Sequence, residues 1–249
     1  MNKTTREAEA YATSLRAFVQ RTACRSHLFI VPPFTALDRV CRVLADTPVK
    51  VGAQNMHWEE SGAFTGEISP LMLRDIGVHL VELGHSERRA HFGESDWTVN
   101  AKVRSALGHG LMSLICVGET ATEKEYGAAR ETVARQVKIA LHGIDARDGR
   151  RIVLAYEPVW AIGEQGTPSE PDYANAMHQT IRQTCADVWG DAVAHDIPIL
   201  YGGSVNAKNA LPLARESDID GLFIGRAAWN VDSLIRIVEM VEEAIGDSK

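Results

Sequence analysis

The sequence has no cluster of lysine and arginine, no long apolar run and no paired cysteine motif, and each absence narrows what the chain can be. Its 26 Lys and Arg are outnumbered by 33 Asp and Glu, giving a formal charge of −7, and they gather nowhere into the basic patch that a nucleic acid or an anionic membrane surface requires. No uninterrupted apolar stretch approaches the roughly 18 residues of a membrane-spanning helix. The opening "MNKTTREAEA" lacks the apolar core of a secretory signal. A cytoplasmic protein is expected. Four cysteines, Cys24, Cys41, Cys116 and Cys185, show neither CxxC nor zinc-type spacing and read as free thiols of a reducing compartment. The nine histidines form no HExxH or paired-ligand pattern, so no metal is expected.

What is present is a rhythm. Short runs rich in Val, Ile, Leu and Phe alternate with stretches of helical period, the signature of βα units and a parallel sheet. Strands are predicted near His27 to Val31, Val49 to Gln54, His79 to Leu83, Leu111 to Val117, Arg151 to Tyr156, Ile197 to Tyr201 and Ile219 to Ile224. The clearest helices are predicted over Thr5 to Gln20, Pro33 to Ala45, Asp96 to His109, Ala128 to Leu141, Glu170 to Val188 and Val231 to Ala244. No Pro/Ser-rich linker divides the chain, so residues 1–249 are read as a single domain. Repeated βα units over about 250 residues match an eight-fold βα barrel. The chain opens directly on a helix, so the unit that lacks its strand is the first.

In such a barrel the chemistry sits where strands end. "QNMHWEESGAFTGEIS", "ELGHSERR", "ICVGET", "AYEPVWAIG", "YGGSVN" and "FIGRAAW" all fall at strand ends. "AYEPVWAIG" places the carboxylate of Glu157 at the end of an apolar strand and follows it with an apolar segment that could cover it. Taken alone, Glu157 could be an ordinary exposed strand-end residue, His85 in "ELGHSERR" a helix cap, the segment after Glu157 a surface loop with a packing Trp, and each glycine a turn.

Together and in this order, these motifs resemble the triosephosphate isomerase family over essentially the whole chain. The resemblance implies that Glu157 is a base removing a proton from carbon next to a carbonyl. It implies that His85 is a neutral imidazole donor at the start of a helical turn, and that Glu87 is close by. The resemblance thus implies a Glu base paired with a neutral His electrophile. The physical requirements agree: a weak carbon acid needs a base in dry surroundings and donors for the developing enediolate. Pro158, Val159, Trp160, Ala161 and Ile162 are then a lid, with Pro158 stiffening its hinge and Trp160 and Ile162 covering the substrate. Gly163, Ser204 and Gly225, with Arg226 beside them, form the substrate phosphate site, largely through backbone N–H groups. No cofactor is implied, because the proton passes from carbon to carbon through a carboxylate.

The chain departs from the family pattern in three places. The family's first strand, which carries a substrate-binding Lys, runs into the segment corresponding to "MNKT". The expectation is therefore about ten further residues upstream, a strand and its approach, and the rival reading is a non-catalytic barrel that binds phosphorylated metabolites. The usual glycine pair after the last strand is Gly225 and Arg226 here, and the lid's far hinge reads "EQGTPS". "QNMHWEESGAFTGEIS" and "GRAAW" resemble the branch acting on four-carbon substrates, the L-erythrulose-1-phosphate isomerases of erythritol catabolism. The favoured pair is therefore L-erythrulose 1-phosphate and D-erythrulose 4-phosphate. The alternative is dihydroxyacetone phosphate and D-glyceraldehyde 3-phosphate of glycolysis and gluconeogenesis. An aldolase of the same architecture would need a Schiff-base Lys at a strand end, and none stands there. The loop Gln54 to Ser69, with Trp58 and Phe64, projects into a partner in the family, so a homodimer is expected.

Overall fold

The computed structural model describes residues 1–163 and 166–246, with side chains through Ala244. Strands β1 (Phe29–Ile30), β2 (Lys50–Ala53), β3 (Leu80–Leu83), β4 (Met112–Val117), β5 (Ile152–Tyr156), β6 (Ile199–Tyr201) and β7 (Gly221–Leu222) form one sheet in chain order. Every neighbouring pair is parallel. The helices between them are α1 (Thr5–Arg21), α2 (Phe34–Leu44), α3 (Pro70–Asp75), α4 (Ser86–Phe92), α5 (Asp96–Gly108), α6 (Ala121–Glu125), α7 (Ala129–Ala140), α8 (Pro171–Trp189), α9 (Asp191–Asp196), α10 (Ala210–Ala214) and α11 (Val231–Gly246). The architecture is the eight-fold βα barrel expected from the sequence, with seven strands among the described residues.

Alternation along the strands sorts two layers. Leu80, Leu114, Cys116, Ala155 and Leu200 form one buried cluster, with Phe29, Met112, Val153 and Phe223 against it, and this is the interior of the barrel. The opposite faces, carrying Val81, Leu83, Ile115, Val117, Leu154 and Tyr156, join the helices in a larger core. Strands buried on both faces are what an apolar run such as "LICV" encodes. β1 and β7 are only half-buried along their length, and the rings of Phe29 and Phe223 stack with centroids 6.0 Å apart. The helical layer continues past these two strands. α1 packs on both α2 and α11, Tyr11 donates its hydroxyl to the Ala228 carbonyl at 2.8 Å, and Glu242 accepts the N–H groups of Arg25 and Ser26.

Helix starts follow side-chain caps. Thr4, Ser95 and Thr120 each make a reciprocal capping box, and Ser69 caps α3 ahead of Pro70, satisfying donors that a helix N-terminus leaves open. No helix among the described residues is long and apolar enough to cross a membrane.

Candidate active site

Two strand ends bring the key groups together. β3 stops at Leu83, Gly84 turns the chain with φ +78°, and His85 becomes the N-cap of α4. β5 stops at Tyr156 and delivers Glu157, which is 3% exposed. His85 Nε2 lies 3.1 Å from Glu157 Oε1, and the other carboxylate oxygen accepts the Ser86 N–H at 3.4 Å. His85 Nδ1 accepts the Glu87 N–H at 3.2 Å, so the backbone of α4 fixes the tautomer and directs the proton of the imidazole from Nε2 at Glu157.

The electrostatics around His85 pull two ways: burial, the helix N-terminus and the Glu87 N–H aimed at Nδ1 favour the neutral imidazole, whereas the carboxylates of Glu157, Glu82 and Glu87 raise its pKa. The charge on this imidazole therefore depends on whether Glu157 stays beside it. Glu87 is itself exposed, with its carboxylate 4.0 Å from His85 Nδ1, on the side away from Glu157.

Glycines make room for Glu157. A Cβ on Gly118 would fall 1.9 Å from the Glu157 carbonyl oxygen, and one on Gly202 would fall 2.9 Å from Glu157 Cγ. A buried network fixes His85 from below. Glu94 accepts the Gly84 N–H at 3.0 Å and pairs with Lys102, and Lys102 also donates to Asn55 Oδ1 at 2.8 Å. Arg89 donates to the Gly84 carbonyl at 2.7 Å and to Asp96 at 2.5 Å.

Of the proposed lid, Val159–Ala161 form a 3₁₀ turn after Pro158, Ile162 follows in extended conformation and Gly163 takes φ +85°. The indole of Trp160 donates to Glu119 at 2.8 Å, packs edge-on against Tyr173 and lies under the Lys124 ammonium. Glu119 is fully buried and also accepts the hydroxyls of Tyr156 and Tyr173. Trp160 thus packs against the α6 and α8 side chains in this conformation. Of "EQGTPS", Glu164 and Gln165 lie outside the described residues.

The residues expected at the phosphate also converge on this segment. Arg226 donates to the Gly163 carbonyl, and the Ser204 N–H donates to the Ala161 carbonyl at 3.1 Å. Gly225 opens the 3₁₀ turn Arg226–Trp229, with free space where a Cβ would stand. Arg226 and Ser204 are therefore both engaged with backbone carbonyls of the Ala161 to Gly163 segment.

The family profile described as triosephosphate isomerase matches residues 1–241. The chain belongs to the triosephosphate isomerase family. Within that family it is similar to proteins named L-erythrulose-1-phosphate isomerase. One from Rhizobium etli is 51% identical over 249 residues, covering 100% of this chain and 92% of the relative. Another from Rhizobium rhizogenes is 50% identical, covering 100% and 95%, and one from Mesorhizobium japonicum is 50% identical, covering 98% and 95%. Membership of the triosephosphate isomerase family makes the protein a phosphosugar isomerase.

The sequence reading overlooked Glu82 and Glu119. Each had a visible signal: Glu82 is a carboxylate inside an otherwise apolar strand and Glu119 one two residues beyond the end of another, where an unpaired charge is costly.

Proposed function

We propose that the protein interconverts L-erythrulose 1-phosphate and D-erythrulose 4-phosphate by proton transfer through an enediolate. The observation that carries the chemistry is the contact between Glu157 and His85 Nε2 at 3.1 Å. The names of the relatives support the four-carbon substrate. Glu157 removes the proton from C3, beside the C2 ketone. The electron pair of that C–H bond forms the C2–C3 double bond of the enediolate, and negative charge develops on O2. His85 Nε2–H donates to O2. His85 gives its Nε2 proton to O2 and takes the O3 proton in exchange, and return of the carbon-bound proton from Glu157 to C2 leaves a hydroxyl at C2 and the ketone at C3. The phosphate end is held by backbone groups around Gly163, Ser204 and Gly225 once the lid moves, with Arg226 travelling from the Gly163 carbonyl to the anion. Closure of Pro158 to Ile162 keeps water from an intermediate that can otherwise lose phosphate.

The same reading takes the chain as one barrel domain working in the cytoplasm as a homodimer. Support for the dimer comes from the loop Gln54 to Ser69. Its His57 is stacked between Trp58 and Phe64 at 4.2 and 4.1 Å, and both outer rings remain more than a third exposed. Apolar surface of that kind favours burial against a second copy.

The test is a side-by-side isomerisation assay on L-erythrulose 1-phosphate and dihydroxyacetone phosphate. The expected result is a higher kcat/KM for the four-carbon ketose. A preference for dihydroxyacetone phosphate would assign the protein to the three-carbon reaction, and inactivity on both with retained phosphosugar binding would leave a binding barrel.

A further inference from the structure

Glu82 is a buried carboxyl group that the proton transfer does not use. It follows Leu80 by two residues on β3, so by strand alternation its side chain points into the barrel interior, just below the mouth. The residue is 8% exposed, and Glu82 Oε1 lies 3.9 Å from His85 Nε2, the same nitrogen that meets Glu157. Its strand neighbour in register is Leu114, with Cys116 next on that face. Among the described residues no group donates a hydrogen bond to it. Burial, only partly opposed by His85, pushes Glu82 up to about 7, and the charges of Glu157, Glu87 and Glu94 act in the same sense as burial. A carboxyl held this way is expensive unless something polar meets it.

The position of Glu82 says what meets it. A phosphosugar that places its phosphate at the lid and its two reacting carbons between Glu157 and His85 must send its other end inward, past His85 Nε2. In a four-carbon ketose that end is a hydroxymethyl group. The interior around it is formed by Leu80, Leu114, Ala155 and Leu200, which offer no hydrogen bond, and by Cys116, a weak donor whose thiol is engaged by Glu157. We propose that Glu82 is a specificity-determining residue whose carboxyl group hydrogen-bonds the terminal hydroxyl of the fourth carbon. The inference rests on the four-carbon reading above. A site built to hydrogen-bond a hydroxyl discriminates strongly against an analogue lacking it, because its own polar group is left unpaired.

The experiment compares kcat/KM of the protein, of Glu82→Leu and of Glu82→Gln on three compounds: L-erythrulose 1-phosphate, its 4-deoxy analogue and dihydroxyacetone phosphate. With the parent protein, loss of the 4-hydroxyl is expected to lower kcat/KM by about 10,000-fold. Glu82→Leu should erase most of that difference between the hydroxylated and deoxy compounds, whereas Glu82→Gln, which can still hydrogen-bond, should retain the larger part. The analogue comparison needs no variant and decides even if Glu82→Leu does not fold. If the parent prefers L-erythrulose 1-phosphate but tolerates the deoxy analogue within threefold, or if Glu82→Leu lowers both compounds equally, the role of Glu82 is overturned while the four-carbon reading stands. A parent that prefers dihydroxyacetone phosphate overturns both.

Discussion

Replacing Gly202 with alanine would set a Cβ 2.9 Å from Glu157 Cγ, 3.2 Å from Phe223 Cδ1 and 3.4 Å from the Tyr156 carbonyl oxygen. The backbone of Gly202 does not have positive φ, so the substitution acts through space and not through strain. Carbon atoms prefer separations of about 3.5–4.0 Å, and the middle of the Glu157 side chain must therefore retreat by roughly 0.6 Å or more. Misplacing a reacting group by about 1 Å costs on the order of 100-fold, so Gly202→Ala should lower kcat some 30- to 100-fold, about 2–3 kcal/mol of barrier. KM should change little, because the clash falls on the proposed base. The assay is steady-state isomerisation beside a thermal melt. A contrast comes from Gly118, where the new Cβ would fall 1.9 Å from the Glu157 carbonyl oxygen and the backbone itself must move. Gly118→Ala should lose the fold's stability before its kinetics can be read. If Gly202→Ala kept kcat within threefold at an unchanged melting temperature, the idea that this glycine makes room for the base would be wrong.

Two further substitutions test the supports around His85. Lys102→Met leaves the buried Glu94 with only Arg88 Nε, 3.7 Å away, as a cation, so the loss should approach but not exceed the about 3–5 kcal/mol of a fully broken buried pair, which denaturant unfolding would register; a loss under 1 kcal/mol would mean the pair holds nothing in place. Glu82→Gln tests the pH dependence of stability. The folded-state pKa of Glu82 is raised from 4.5 to about 7, so its favourable contribution is present below about 4.5 and is lost as pH rises through 7. The difference amounts to about 3 kcal/mol by pH 8. The glutamine variant should gain melting temperature over the parent between pH 5 and pH 8, and a pH-independent gap between the two would refute the assignment.

Periodicity made most of the fold legible. All of the strands found lie inside the predicted segments, trimmed at their ends, as with Ile219 to Ile224 against Gly221–Leu222. The long helices agree within a residue or two, since α1, α5 and α8 each bury a regular stripe. The short helices α3, α6, α9 and α10 were not read, because five or six residues are too few to show a period and depend on caps and tertiary contact instead. In the site, His85 and Glu157 stood out because their motifs are specific. The lid's present packing was hidden, because it depends on Glu119 meeting Tyr156, Tyr173 and Trp160 from distant parts of the chain. The roles of Gly118 and Gly202 were hidden for the same reason, since a clash 1.9 or 2.9 Å away belongs to a neighbour on another strand.

The chain from Asn55 through Lys102 and Glu94 to the Gly84 amide joins the root of the Gln54 to Ser69 loop to the turn that carries His85. All three side chains are buried, so none can exchange its partner for water without opening the interior. A shift at the root of that loop is therefore opposed by buried hydrogen bonds that end on the residue before His85.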